Sequence, residues 1–185
     1  QELNIAKEKY AMAVGNALEY LENIEEGSFD TVLCLGMLYY TTEPYRLLKL
    51  MLRAAKETVI LDTFTAAYAA IQGKEAPQVY ESVNEETLKL PILLTALTQP
   101  EKKDYTLPHS FDYRSKDLSL ITLPSAELLE IWFQSLNAQF KKMDWSTYGT
   151  RPCTYHDLLT PDQKKSSHWA DVYTSGIRVS YLLHK

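Results

Sequence analysis

Cysteine is scarce in this chain: there are two in 185 residues, Cys34 and Cys153. Two are too few for a disulfide framework, and neither sits in a CxxC or Cys/His cluster, so no zinc or other metal site is expected. Independence from disulfides fits a reducing, cytoplasmic setting. No apolar run of membrane-spanning length is present and no signal-peptide pattern opens the chain, so no membrane partner is expected. Positive charge is not in excess: 19 Lys and Arg stand against 24 Asp and Glu, a net charge of −5. That balance argues against a broad nucleic-acid footprint, while the 19 cations leave room for a local basic groove. Internal repeats and low-complexity segments are also missing.

What is present is the composition of one packed domain, 45% hydrophobic and 23% charged. AMAVG (11–15) is a short apolar run closed by Gly, suited to a buried strand. Asn16 follows as a helix N-cap, with Glu19 at the capping-box position and Leu18 and Leu21 facing inward. FDTVLCLG (29–36) and TVILDTF (58–64) read as strands buried on both faces, the pattern of parallel sheets. Between them TTEPYRLLKLMLRAA (41–55) reads as a helix, capped by Thr41 or Thr42, with Pro44 in its first turn and Leu47, Leu48, Met51 and Leu52 on one face. This alternation predicts a parallel α/β sheet. Residues 65–123 are instead rich in Tyr and Pro and read as an insertion or lid within a single domain spanning 1–185. Within it, 84–98 has a helical look, kinked at Pro91. A helix beginning at Ser125, a strand over 140–148 with Met143 and Trp145 inward, a polar, partly helical stretch over 154–173, and a closing strand over 176–185 complete the reading.

Three strings carry a family resemblance. FDTVLCLGMLYYTTEP is similar to a strand of the form FDTVxxxGVLYHRRxP. LPSAELLEIWF resembles a PSAxxLxxWL helix start. PDQKKSSHWADVY with GIRVSYLLHK resembles an EQRxTxWM segment followed by a basic closing strand. Their order is that of the C-terminal part of class I S-adenosylmethionine-dependent methyltransferases, nearest to the bacterial tRNA wobble-uridine carboxymethyltransferases and their relatives. The resemblance implies a Rossmann-like sheet of order 3-2-1-4-5-7-6 and S-adenosylmethionine as cofactor. The family's Gly-rich loop and the acidic residue ending its second strand have no counterpart among the six glycines and the acidic residues here. The resemblance thus implies a sheet incomplete at its N-terminal side, the chain beginning after the second strand. Two strand edges then lack partners. A fragment record, direct pairing of AMAVG with TVLCLG, or a second chain completing the sheet as a homodimer would each resolve this.

The resemblance also places the site. Asn16 and Ala17 fall where the family contacts the adenine; the residues themselves equally fit a plain N-cap. Cys34, Leu35 and Gly36 end a central strand on the ligand-binding side of an open sheet, Gly36 allowing close approach to the backbone. Cys34 reads as an inert core thiol. Tyr39 matches a family Tyr and is positioned to flank a sulfonium or the substrate. Tyr40, Thr41 and Thr42 stand where the family has His-Arg-Arg, so hydroxyls replace the positive charge that a carboxylated cofactor or tRNA phosphates call for. Asp62 ends the next strand and is a candidate to orient an acceptor, or to cap a helix. Arg178 matches a basic residue of the closing strand, or is a surface charge. Tyr40, Tyr68, Tyr113 and Arg178 are the candidate acceptor contacts, and Tyr39 and Asp62 the candidate catalytic groups. His109, His156 and His168 read as loop histidines. The expectation is methyl transfer to a small organic acceptor, since in-line displacement at a sulfonium needs positioning and desolvation more than acid–base groups. A non-catalytic module of the same fold and a tRNA-modifying enzyme remain the alternatives.

Overall fold

The computed structural model describes residues 9–72, 85–98, 110–113, 116–149 and 168–185. The elements run α1 (Ala17–Asn23), β1 (Phe29–Leu35), α2 (Pro44–Ala54), β2 (Ala55–Phe64), α3 (Ala67–Gln72), α4 (Glu85–Leu88), β3 (Leu93–Thr98), β4 (Ser110–Tyr113), β5 (Lys116–Pro124), α5 (Ala126–Ser135), β6 (Gln139–Lys142), α6 (Asp171–Thr174) and β7 (Arg178–His184). They form a mixed α/β structure with two sheets, one ordered β1-β2-β7-β6 and a smaller one ordered β3-β5-β4. In the main sheet β1 and β2 are parallel, and β7 is antiparallel to both its neighbours, β2 and β6. The expected α/β class therefore holds, and this order has the form of the last four strands of 4-5-7-6 type, with only β7 reversed.

One face of this sheet holds the core. Val32 and Cys34 lie in register with Val59 and Leu61, and these with Leu183 and Tyr181. Against this row pack Leu47, Leu48, Met51 and Leu52 of α2 and Leu129 and Phe133 of α5, all buried. α5 forms where expected, whereas α2 starts later than expected and neither Thr41 nor Thr42 caps it: Glu43 is the N-cap residue without a side-chain cap bond, and the Thr41 hydroxyl accepts from the Glu43 amide at 3.1 Å as the chain turns into the helix. Pro44 opens α2 at a position that needs no amide donor, and the Ser125 hydroxyl accepts from the Leu128 amide to cap α5. α1 leans on α2, tied down by Arg53, whose guanidinium donates to the carbonyls of Leu21, Glu22 and Ile24.

The opposite face differs from the expectation of strands buried on both sides. Leu33, Ile60 and Leu182 line up across it, yet Leu33 is 61% and Leu35 57% exposed. Among the described residues no strand pairs with the outer edge of β1, and along this row exposure is greatest at β1, Ile60 and Leu182 being half-buried. The expected strand AMAVG is not formed either. Residues 11–14 are irregular and exposed, Met12 and Val14 almost wholly so. A strand is held by cross-strand partners and a covered face, and this segment has neither.

Two further expectations are corrected. The segment 84–98 is not a kinked helix: it is one turn of α4 followed by β3. Pro91 supplies no amide and ends the helical turn, and β3 gains a full antiparallel partner in β5. The strand expected over 140–148 stops at Lys142. Met143 is exposed rather than inward, because its backbone amide bonds the Ser180 carbonyl as the chain leaves the sheet. The smaller sheet docks at the C-terminal end of β1 and β2. There Ile121 and Leu123 bury against Tyr39, Tyr40, Phe64 and Tyr68, and the Thr122 hydroxyl donates to the Thr41 carbonyl at 2.7 Å. The insertion thus roofs the end of the sheet where open α/β folds place ligands.

Candidate functional site

The residues at that end converge because of register. Asp62 of β2 lies opposite Ser180 of β7, and Phe64 opposite Arg178. Side chains two apart on a strand share a face, so Asp62, Phe64, Arg178 and Ser180 form one patch. Asp62 is its hub. One carboxylate oxygen takes a short, charge-assisted bond from the Arg178 guanidinium, and the other accepts from the Ser180 hydroxyl at 2.6 Å. Trp145, just beyond β6, donates its indole N–H to the Ser180 oxygen at 3.2 Å. The pair is largely enclosed, with Asp62 10% and Arg178 25% exposed in their side chains. Burial works against the Arg178 charge, but the bond to Asp62 and its negative charge outweigh it and raise the guanidinium pKa above its ordinary value. The guanidinium carbon of Arg178 lies over the Phe64 ring, 4.9 Å from its centroid, and Phe64 stacks on Tyr68 at 4.0 Å.

Gly36 borders this patch. Its amide donates to the Asp62 carbonyl at 2.8 Å, and its φ of +72° favours glycine. A Cβ there would lie 3.3 Å from Arg178 Nη2 and 3.5 Å from the Tyr39 hydroxyl. Glycine therefore keeps open the corner between the end of β1, Arg178 and Tyr39. Tyr39 sits in a short 3₁₀ turn, Leu38–Tyr40, against Tyr40 and Phe64 with ring centroids 4.3 and 5.1 Å away. Burial, and then the hydrogen bond with Tyr40, push the Tyr39 hydroxyl pKa far above its ordinary value. At neutral pH it is a protonated donor. Tyr173 is also shifted up, by burial and then by the Asp62 charge.

The structure thus brings together Gly36, Tyr39, Tyr40, Asp62, Tyr68 and Arg178. Arg178 is not a surface charge on an edge strand but half-buried on an interior one, and Asp62 caps no helix. Cys34 lies beneath the site in the core, its thiol pKa pushed up by burial to about 11, as expected of an inert cysteine. Leu35 lies opposite Asp62 in register and so on the site's face, where it is exposed. Asn16 and Ala17 stand apart: Asn16 caps α1 through the Leu18 amide and touches Glu19. Tyr113 ends β4, and its side chain lies outside the described residues, as do His109, His156 and Cys153. His168 stays local, its ring nitrogen accepting from the Ala170 amide.

Ser180, Tyr173 and Phe64 complete the patch and were not singled out by the sequence, and Trp145 was placed in the core. The available signal was period-two spacing, Arg178 with Ser180 and Asp62 with Phe64. Its meaning depends on an antiparallel register that no local pattern encodes. Among the described residues no group of three His, Cys, Asp or Glu is placed to hold a metal, and no helix is long and apolar enough to cross a membrane.

No family model and no curated protein matches the sequence. Among solved structures the chain is similar to a SAM-dependent methyltransferase from Archaeoglobus fulgidus, with a TM-score of 0.43 and 10% identity over 97% of this chain and 69% of that one. A likeness of that size assigns neither a family nor an activity.

Proposed function

We propose that this chain carries the acceptor side of an S-adenosylmethionine-dependent methyltransferase site, working on a small organic molecule. The observation that carries the reading is the sheet itself. β1-β2-β7-β6 with β7 alone reversed reproduces the last four strands of the order implied by the motif resemblance, and the resembling string FDTVLCLG ends at its ligand-facing corner.

The residues at that corner fit part of the cofactor. Gly36 leaves the approach to the end of β1 clear, where even a methyl group would crowd Arg178, and Tyr39 offers an aromatic face. When bound, the cofactor supplies an electrophilic methyl group. This chain's residues then position and exclude water. The roof of Tyr40, Phe64, Tyr68, Ile121 and Leu123 desolvates the corner, which favours a displacement whose charge is dispersed in the transition state. Both Asp62 oxygens are engaged, by Arg178 and Ser180, so Asp62 fixes the Arg178 head rather than abstracting a proton. Tyr39, held protonated, donates. The remaining contacts, including those of a Gly-rich loop, fall to a polypeptide segment pairing on the β1 edge and covering Leu33, Ile60 and Leu182. The same partly exposed row favours a second reading, a non-catalytic module of this fold that acts through protein contacts.

Calorimetric titration with S-adenosylhomocysteine, on this chain and on a version extended at its N-terminus, tests the proposal. Saturable one-to-one binding by the extended form is expected. Absence of binding in both, with self-association at the β1 edge, contradicts the methyl-transfer reading in favour of the contact module.

A further inference from the structure

Arg178 faces two ways. On one side are Gly36 and Tyr39; on the other a separate open cleft of about 410 Å³, lined among others by Lys142, Asp144, Trp145, Tyr173, Arg178 and Ser180. Because β6 runs parallel to β1 and β2, Lys142 brings this cleft to the same end of the sheet. Its wall is aromatic. The rings of Trp145 and Tyr173 lie 5.2 Å apart, and Trp169 and Tyr148 extend the surface outward, at 5.8 and 5.9 Å from Trp145. Trp169 is 51% and Tyr148 57% exposed. Such a cluster mixes apolar area with fixed orientation, since Trp145 is pinned through its indole N–H to Ser180.

The charges around it are specific. Asp144 is committed locally, accepting from the Ser146 amide at 2.8 Å, and the Ser146 bonds lower its pKa. Asp62 is saturated by Arg178 and Ser180. Arg178 binds Asp62 through Nε and Nη2; among the described residues no acceptor engages Nη1. Lys142 has no carboxylate within ion-pair distance among the described residues. Two cationic donors therefore flank an aromatic wall, with Asp62 paired to Arg178 and Asp144 held ionised by its bonds to Ser146.

We infer that this cleft binds a small aromatic ring carrying one anionic group, the ring against Trp145 and Tyr173 and the anion between Lys142 and the free edge of Arg178. Its identification as the acceptor pocket rests on the methyl-transfer reading; its occupancy does not. Trp145 and Trp169 make binding visible in intrinsic fluorescence, with Trp132 distant on α5. The test is a titration with 4-hydroxybenzoate, compared with 4-hydroxybenzamide and cyclohexanecarboxylate, on the full chain and on Lys142→Gln, an exposed position whose change leaves the fold intact. The expected result is a saturable change with 4-hydroxybenzoate, weaker binding of both analogues, and a loss of about two- to fivefold in Lys142→Gln, the range an exposed ion pair supports. No saturable change, equal binding of the amide, or an unaltered Lys142→Gln overturns the inference. If S-adenosylhomocysteine binds and the aryl carboxylate does not, the cleft assignment fails while the methyl-transfer reading stands. Binding of the aryl carboxylate, with no S-adenosylhomocysteine binding by this chain or by the N-terminally extended form, supports the cleft and removes that reading.

Discussion

At the scale of residues, the site depends on one ion pair whose partners were each legible and whose pairing was not. Asp62, near the end of one apolar strand, and Arg178, which opens the last, both draw notice as charges, but they are 116 positions apart, and only the β2–β7 register joins them. Asp62→Ala strands a half-buried guanidinium, and its cost is expected to be about 3 kcal/mol, as for loss of one partner of an enclosed pair. Urea unfolding measures it, and Asp62→Ala combined with Arg178→Met is expected to recover most of the loss. Cys34 gives a pH dependence with a defined sign. Its folded thiol holds the proton to about pH 11 against an ordinary value of 9.0. The stabilisation is complete below pH 9, and it is lost as pH rises from 9 towards 11, where the unfolded chain releases the proton first. Over that window the urea midpoint of the wild type is expected to fall further than that of Cys34→Ala. Equal slopes would mean that the thiol is not desolvated.

At the scale of elements, caps and helical faces were the most readable features. Asn16, Pro44 and Ser125 mark the starts of α1, α2 and α5, because cap chemistry is local. Ser125 does more than its sequence position shows: its hydroxyl donates to the Leu90 carbonyl at 2.6 Å and accepts from the Ile92 and Leu128 amides, both at 3.2 Å. It therefore joins α5 to the turn that launches β3. Ser125→Ala is expected to cost about 2 kcal/mol, beyond the ~1 kcal/mol of an ordinary cap, because buried backbone groups lose a partner as well. Chemical denaturation checks this, and a loss below about 1 kcal/mol would show the joint to be dispensable. Reading 84–98 as a helix missed β3, since Leu93–Thr98 takes its strand form from pairing with β5, far along the chain.

At the scale of the whole molecule, the α/β class followed from strand and helix alternation, but a parallel sheet did not form: only β1 and β2 pair in parallel, and β7 and the smaller sheet are antiparallel. The exposed row on β1 was not legible either. Composition shows that Leu33 and Leu35 are apolar; it cannot show that they are exposed. AMAVG, apolar enough for a strand, stays irregular and does not pair with the free edge of β1, so the direct pairing of AMAVG with TVLCLG is not formed. The account's central claim is that an adenosyl ligand seats at the C-terminal end of β1, against Gly36 and Tyr39. Backbone amide exchange with and without S-adenosylhomocysteine, followed by mass spectrometry on the form that binds it, tests this most directly. The account predicts added protection in peptides covering residues 34–41 and 62–66, with 139–149 and 85–98 unchanged. Protection confined to other segments, or binding with no change around Gly36, would contradict it.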